Sequence, residues 1–246
     1  METRIIIPAR LASTRLPRKL LLRETGKSLL QHTYEAASRS RKAASVWVAA
    51  DGEEIAREVR SFDGLVRMTD PQLPSGTDRV ATVAADMDDV DLVVNVQADE
   101  PEISAEAIDQ LVQLLEDTPT VHMATLATPI QDPAKITDPS CVKVVLDSQN
   151  RAIYFSRSPI PYVRDATDAA GVHLQHLGIY AYRRNFLIRI AQQPPTVLEK
   201  TEKLEQLRVL SLGHAILVGV VDEPTVGIDT PDDYQAFVAR YRERIA

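Results

Sequence analysis

The chain has 246 residues, 44% apolar and 26% charged, which suits one globular domain, with or without a small appendage, whose core needs no disulfides. Its 28 Lys and Arg stand against 35 Asp and Glu, a formal charge of -7, and this argues against a nucleic-acid-binding surface, which is normally basic. A single cysteine, Cys141, excludes an internal disulfide and a cysteine-rich zinc site, and its apolar neighbours predict a buried, inert thiol.

The first residues, Met1 to Arg4, lead into only three isoleucines before Pro8. That is not a secretory leader, and no later apolar run reaches membrane-spanning length, so a cytoplasmic protein without membrane contact is expected. Further along, short apolar runs alternate with helical patterns, which predicts an α/β fold with a largely parallel sheet. Ile5, Ile6 and Ile7 form a buried first strand ending at Pro8, residues 46–50 a second, and residues 92–96 the strongest central strand. Ser28 caps a helix through Leu29, Leu30, Thr33, Tyr34 and Ala37. Ser104 caps another, with Ile108, Leu111, Val112 and Leu115 at helical spacing. Residues 142–146, 152–156 and 178–182 read as strands without helices of comparable length between them. Residues 130–185 are therefore expected to be a mixed-sheet insertion and a dimer surface within a single 1–246 domain. The 202–212 pattern predicts one helix with Leu204, Leu207 and Leu210 buried, and a last helix starts at Pro231 with Thr230 as its cap.

Three stretches carry chemistry. The loop from Pro8 and Ala9 through Lys19 packs Arg10, Arg15, Arg18 and Lys19 into ten residues just after a buried strand. Ligands of open α/β sheets collect at such strand ends, and Arg forks with a Lys point charge match a triphosphate; the plain alternative is a solvated loop. Neither a Walker loop nor a dinucleotide fingerprint is present. Asp99, past the apolar strand in Asn95-Val96-Gln97-Ala98-Asp99-Glu100-Pro101, suits Mg²⁺ or simply a turn. Asp229 also precedes a helix, where it is either a second metal ligand or ordinary helix-start chemistry. Ser75, Gly76 and Arg79 open a helix that either recognises a base or only starts there. Arg157 could pair with a carboxylate. His176 and Tyr180, four apart in an extended segment, can face one side, although a structural hydrogen bond is the default role of a lone His. Glu205 and Arg208 are spaced for a surface ion pair.

These segments resemble those of the 3-deoxy-manno-octulosonate (Kdo) cytidylyltransferase family. The resemblance is carried by IIIPARLASTRLPRK, LPSGTDR, NVQADEPEI, MATLATPI, VKVVLD, YFSRSPIP, HLGIYAYR, KLEQLRVL and VGIDTPDDY, in order from residue 5 to 234. It implies a three-layer, nucleotide-sugar-transferase-like (Rossmann-like) α/β fold, a homodimer, CTP and Kdo as small-molecule substrates, Mg²⁺, and a place in lipopolysaccharide biosynthesis. On that pattern Pro8, Ala9, Arg10, Arg15, Lys19, Ser75, Gly76 and Arg79 surround the nucleotide. Arg15, Lys19, Asp99 and Asp229 are catalytic, with Asp99 and Asp229 the metal ligands. Gln97, Arg157, His176, Tyr180, Glu205 and Gln206 surround the sugar. The family loop commonly has Tyr, Gly and Pro where this chain has Leu11, Arg18 and Leu20, and Gly at Ala98. The rival expectations are a cytidylyltransferase for another acid (amino-Kdo, a sialic acid, a phosphonate) and a non-catalytic nucleotide-binding module.

Overall fold

The computed structural model describes residues 1–165, 171–222 and 227–245. Three consecutive isoleucines favour an extended backbone buried on both faces, and Thr3–Ala9 (β1) has Ile5, Ile6 and Ile7 fully buried. Along the chain follow Leu29–Ala37 (α1), Ser45–Ala50 (β2), Glu53–Arg60 (α2), Leu65–Met68 (β3), Gly76–Ala85 (α3), Leu92–Asn95 (β4) and Ala105–Asp117 (α4). Next come Met123–Pro129 (β5), Ala134–Thr137 (α5), Lys143–Leu146 (β6), Ala152–Ser156 (β7) and Leu174–Arg183 (β8). The last are Arg184–Ala191 (α6), Val197–Glu202 (α7), Gln206–Ser211 (α8), Ile216–Val220 (β9) and Pro231–Ile245 (α9). The α/β class expected from the alternation is what forms. Among the described residues no helix is long and apolar enough to cross a membrane.

The chain divides into two compact units, Met1–Asp109 with Thr225–Ala246, and Gln110–Pro224. In the first, the strands run β3-β2-β1-β4, all parallel, with Ile5 beside Val46 on one side and Val94 on the other. Parallel neighbours end on the same edge, so the loops after β1, β2 and β4 emerge together. The predicted caps form: Ser28 Oγ accepts from Gln31 N at 3.1 Å, Ser104 Oγ from Ala107 N at 3.2 Å, and Thr230 Oγ1 from Asp233 N at 3.2 Å. The first strand does not stop at Pro8 but runs on to Ala9. Ile6 O accepts from Val96 N, and residues two apart point the same way, so the donor Pro8 lacks would face β4 beyond the end of that ladder.

In the second unit β5 lies between β8, antiparallel, and β9, parallel, while β6 pairs antiparallel with β7 and β8. The expected 130–185 region contributes β6, β7 and β8, but β8 pairs along the whole of β5, so the unit begins well before residue 130; residues 166–170 lie outside the described residues. The single helix expected over 202–212 is replaced by two helices, because Lys203 adopts a left-handed backbone, φ 56°. A continuous helix would carry residues 199 and 208 to opposite faces, about 13 Å apart along its axis. The break instead brings the buried Arg208 onto Glu199, with contacts of 2.8 Å from Nε and 2.5 Å from Nη2. Arg208 was expected to pair with Glu205; its guanidinium goes to Glu199, and Glu205 is exposed at the start of α8. Glu199 also closes the capping box of α7 with Thr196.

Removing one partner of a buried ion pair leaves the other uncompensated. Glu199→Ala is expected to lower unfolding free energy by about 3–5 kcal/mol, read as a lower urea midpoint with an unchanged slope.

Candidate active site

Because β1 and β4 are adjacent and parallel, the basic loop after β1 and the acidic turn after β4 must share one edge of the sheet. The third contributor arrives from far along the chain: Ile228 N donates to Asp99 O at 2.9 Å, which pins residues 228 and 229 against the turn. Lys19 lies at the centre. Its Nζ donates to Asp99 Oδ2 at 2.5 Å, Asp229 Oδ1 at 2.9 Å and Ile228 O at 2.9 Å. Burial by itself would push the Lys19 pKa down, but Asp99 and Asp229 outweigh it and hold the ammonium above its ordinary value. Arg15 reaches the other oxygen of Asp229 at 2.8 Å from a largely exposed position.

A cleft of about 310 Å³ opens over this cluster, lined by Pro8, Arg10, Arg15, Lys19, Gly76, Gln97, Asp99 and Asp229 among others. The sequence-predicted nucleotide and metal residues are thus largely brought together, with Gln97 beside them. Arg10 donates to Leu73 O at 2.7 Å, tying the loop to the segment before α3. Ser75 caps α3 by accepting from Asp78 N at 3.1 Å. Two expected members lie beneath the surface. Ala9 is fully buried, and so is Arg79, which donates to Thr69 Oγ1 and keeps Nε and Nη2 without partners. Burial, and then Arg10 nearby, pull the Arg79 pKa below its ordinary value.

Asp51 was not singled out from the sequence, although it follows β2 as Asp99 follows β4. Both its carboxylate oxygens accept from Leu11 N, at 3.2 and 3.1 Å, and its own N–H donates to Ala9 O at 3.2 Å, so it anchors the start of the basic loop. Two carboxylates meeting on one cation, in an all-oxygen setting, fit Mg²⁺, which commonly takes only one or two protein carboxylates beside substrate phosphates. Among the described residues no three His, Cys, Asp or Glu converge as a self-sufficient metal cage.

The remaining sugar candidates belong to the second unit. His176 and Tyr180 would stand about 13 Å apart along a regular strand. In β8 a bulge sets Leu177 opposite Leu126 and Tyr180 opposite Thr125, so the four-residue spacing spans two ladder positions and the rings meet at 5.4 Å, tilted by 39°. Tyr180 Oη lies 3.4 Å from Gln206 Oε1, and the buried Gln206 Nε2 has no partner. Arg157 Nε donates to Glu202 O at 2.7 Å and Nη1 to Pro139 O at 2.8 Å, which sets the plane of the guanidinium. Behind it the fully buried Lys143 donates to the carbonyls of Asp138, Cys141 and Arg157 at 2.9, 2.5 and 2.7 Å. Cys141 is buried, and burial pushes its thiol pKa up, as an inert cysteine requires. Glu202 and Lys143 give no sequence signal, because a Lys inside an apolar strand looks like any alternation break.

The cytidylyltransferase family model matches residues 4–216. A 3-deoxy-manno-octulosonate cytidylyltransferase of Rhodopirellula baltica is 50% identical, covering 98% of each chain, and one of Geobacter sulfurreducens is 43% identical, covering 98% of this chain and all of its own. The chain belongs to the 3-deoxy-manno-octulosonate cytidylyltransferase family. A solved CMP:2-keto-3-deoxy-manno-octonic acid synthetase complexed with CTP superposes with a TM-score of 0.94 at 40% identity, covering 99% of this chain and 100% of that one. The fold reaches further: a 4-diphosphocytidyl-2C-methyl-D-erythritol synthase of Anaerococcus prevotii aligns at a TM-score of 0.64 with 15% identity, over 99% of each chain.

Where the family commonly has Gly, this chain has Arg18, and its backbone is left-handed, φ 56° and ψ 28°. Its side chain turns to Glu54 of α2. A non-glycine residue in that conformation costs about 1–2 kcal/mol, and an exposed ion pair returns about 0–1 kcal/mol. Arg18→Gly is expected to be neutral or up to about 2 kcal/mol stabilising, measured by denaturant unfolding.

Proposed function

We propose that this chain transfers CMP from CTP to the anomeric hydroxyl of 3-deoxy-D-manno-octulosonate, releasing pyrophosphate for lipopolysaccharide biosynthesis, with Mg²⁺, as a cytoplasmic homodimer. The observation that carries this reading is Lys19 held between Asp99 and Asp229 in a strand-end cleft that also presents Arg10 and Arg15. A cleft with three cations facing two carboxylates suits a ligand that is itself polyanionic and metal-bound.

In the reaction the sugar's 2-hydroxyl oxygen bonds to the α-phosphorus, the bond from that phosphorus to the α,β-bridging oxygen breaks, and the hydroxyl proton is lost to the surroundings. No side chain in the cleft is assigned as a general base. The chain's contribution is positioning and charge. Arg10, braced on Leu73, and Arg15, hinged on Asp229, offer donors to phosphate oxygens, and Lys19 offers a cation where charge builds on the departing pyrophosphate. Asp99 and Asp229 would hold the magnesium ion, which supplies further positive charge to the phosphate oxygens when bound. Gln97, Arg157, His176, Tyr180, Glu205 and Gln206 are assigned to the acid sugar. Dependence on a nucleoside triphosphate supports the cytoplasmic location.

Asp99→Asn keeps size and hydrogen bonding but removes charge. It is expected to lower kcat by about 10²-fold or more at saturating Mg²⁺, measured as pyrophosphate release, and to weaken the Mg²⁺ dependence of CTP binding in calorimetry. Turnover within about threefold of wild type would remove the metal assignment. A panel of acid sugars in the same assay tests the acceptor, and a faster acid than Kdo would replace it.

Self-association is supported by the large apolar side chains that the second unit leaves exposed, with Tyr162 89%, Val197 79% and Ile153 61% accessible. Ile153→Glu is expected to shift sedimentation from dimer to monomer; an unchanged dimer would exclude Ile153 from the contact.

A further inference from the structure

The surroundings of Thr125 decide which nitrogen of His176 carries its proton. Thr125 Oγ1 is fully buried and has three neighbours: Ile179 O at 2.8 Å, His176 Nε2 at 3.0 Å and Leu177 O at 3.2 Å. Both carbonyls belong to the β8 bulge, and a bulge leaves part of the ladder unpaired. A hydroxyl has one proton to give and lone pairs with which to accept, whereas a carbonyl only accepts. If the hydroxyl proton pointed at His176, Oγ1 would meet two carbonyl oxygens lone pair to lone pair inside the protein, where unmade hydrogen bonds are expensive. The proton therefore goes to the nearer carbonyl, Ile179 O, which leaves only the longer contact to Leu177 O unmade, and Oγ1 accepts from His176 Nε2–H.

Burial holds the imidazole neutral by pushing its pKa down to about 3. A neutral ring bears one proton, so with Nε2 protonated Nδ1 is a bare acceptor. The ring cannot turn over freely: Phe155 meets it edge-on at 4.9 Å and Tyr180 lies against it at 5.4 Å.

We propose that Thr125 locks His176 as the Nε2–H tautomer, so that the ring serves sugar recognition as a hydrogen-bond acceptor, taking a hydroxyl of the substrate and rejecting its carboxylate. This rests on the assignment of His176 to the sugar site. It divides the labour there. Gln206, whose buried Nε2 has no partner, offers a donor; His176 offers an acceptor. A polyhydroxy acid satisfies both, through a hydroxyl that accepts from one and a hydroxyl that donates to the other. The Thr125 hydroxyl bonds to His176 and to the bulge carbonyls, and Thr125 is a positioning residue.

Two measurements test the lock and the recognition separately. In protein labelled with ¹⁵N at histidine, long-range ¹H–¹⁵N correlation is expected to show His176 Nε2 protonated and Nδ1 unprotonated throughout about pH 6 to pH 8. A protonated Nδ1 overturns the lock, and this holds for the wild-type protein whatever any variant does. Thr125→Val, nearly equal in volume but without a hydroxyl, is expected to lose the tautomer preference. It should also raise KM for Kdo about tenfold, the scale of one misdirected hydrogen bond, with KM for CTP unchanged. Thr125→Ser, which restores the hydroxyl, should return both readings to wild type, and Thr125→Ala, which also lacks the hydroxyl, carries the kinetic comparison if the valine variant does not fold. A Thr125→Val enzyme with the wild-type tautomer overturns the role of Thr125. A switched tautomer with an unmoved KM for Kdo overturns the recognition role and, with it, the placing of His176 at the sugar.

Discussion

The first unit depends on one ammonium group. Lys19 bonds to Asp99, Asp229 and Ile228 O, joining the loop after β1, the turn after β4 and the segment before α9 at a single point. Two carboxylates can share that space because a cation stands between them, and the strength of the cluster comes from partial burial, which limits screening. A largely exposed pair such as Arg15 with Asp229 contributes little to stability by comparison. The same arrangement makes the cleft responsive to ligand, because Lys19, Asp99 and Asp229 carry charges that a metal–nucleotide complex could redirect.

The second unit uses burial differently. Lys143, Arg208 and Thr125 are polar groups inside the protein, and each has a specific partner set: three carbonyls, one carboxylate gripped at two points together with the Ile190 and Gln193 carbonyls, and a bulge with an imidazole. Buried polar groups are costly unless fully paired, so each network specifies one local geometry. Lys143 draws the Asp138, Cys141 and Arg157 carbonyls together, Glu199 with Arg208 bridges the break between α7 and α8, and Thr125 stabilises the bulge that brings His176 to Tyr180. Lys143 and Thr125 bond directly to candidate sugar-binding residues, Arg157 and His176.

The departures from the family pattern are absorbed locally. Arg18 accepts a left-handed backbone and turns to Glu54 rather than to the cleft. Ala98 is buried, and its carbonyl accepts from Thr33 Oγ1 of α1 at 3.0 Å. Neither change displaces the charged groups that meet at Lys19.

Local rules in the sequence determined a good deal. β-Branched runs and helix caps announce β1, β2, β4, α1, α4 and α9 within a residue or two, because these elements depend on neighbours in the chain. The cationic loop and Asp99 were legible for the same reason, since a carboxylate just past an apolar strand has few places to be in a parallel sheet. Tertiary structure alone decided that Asp229, remote in sequence from both Lys19 and Asp99, joins them, through one backbone hydrogen bond from Ile228. It also decided that the 202–212 pattern breaks, that Arg79 is buried against Thr69, and that a bulge brings Tyr180 to within two ladder positions of His176. Each of these outcomes turns on long-range partners, and hydrophobic periodicity records which residues are buried but not which buried polar groups will meet.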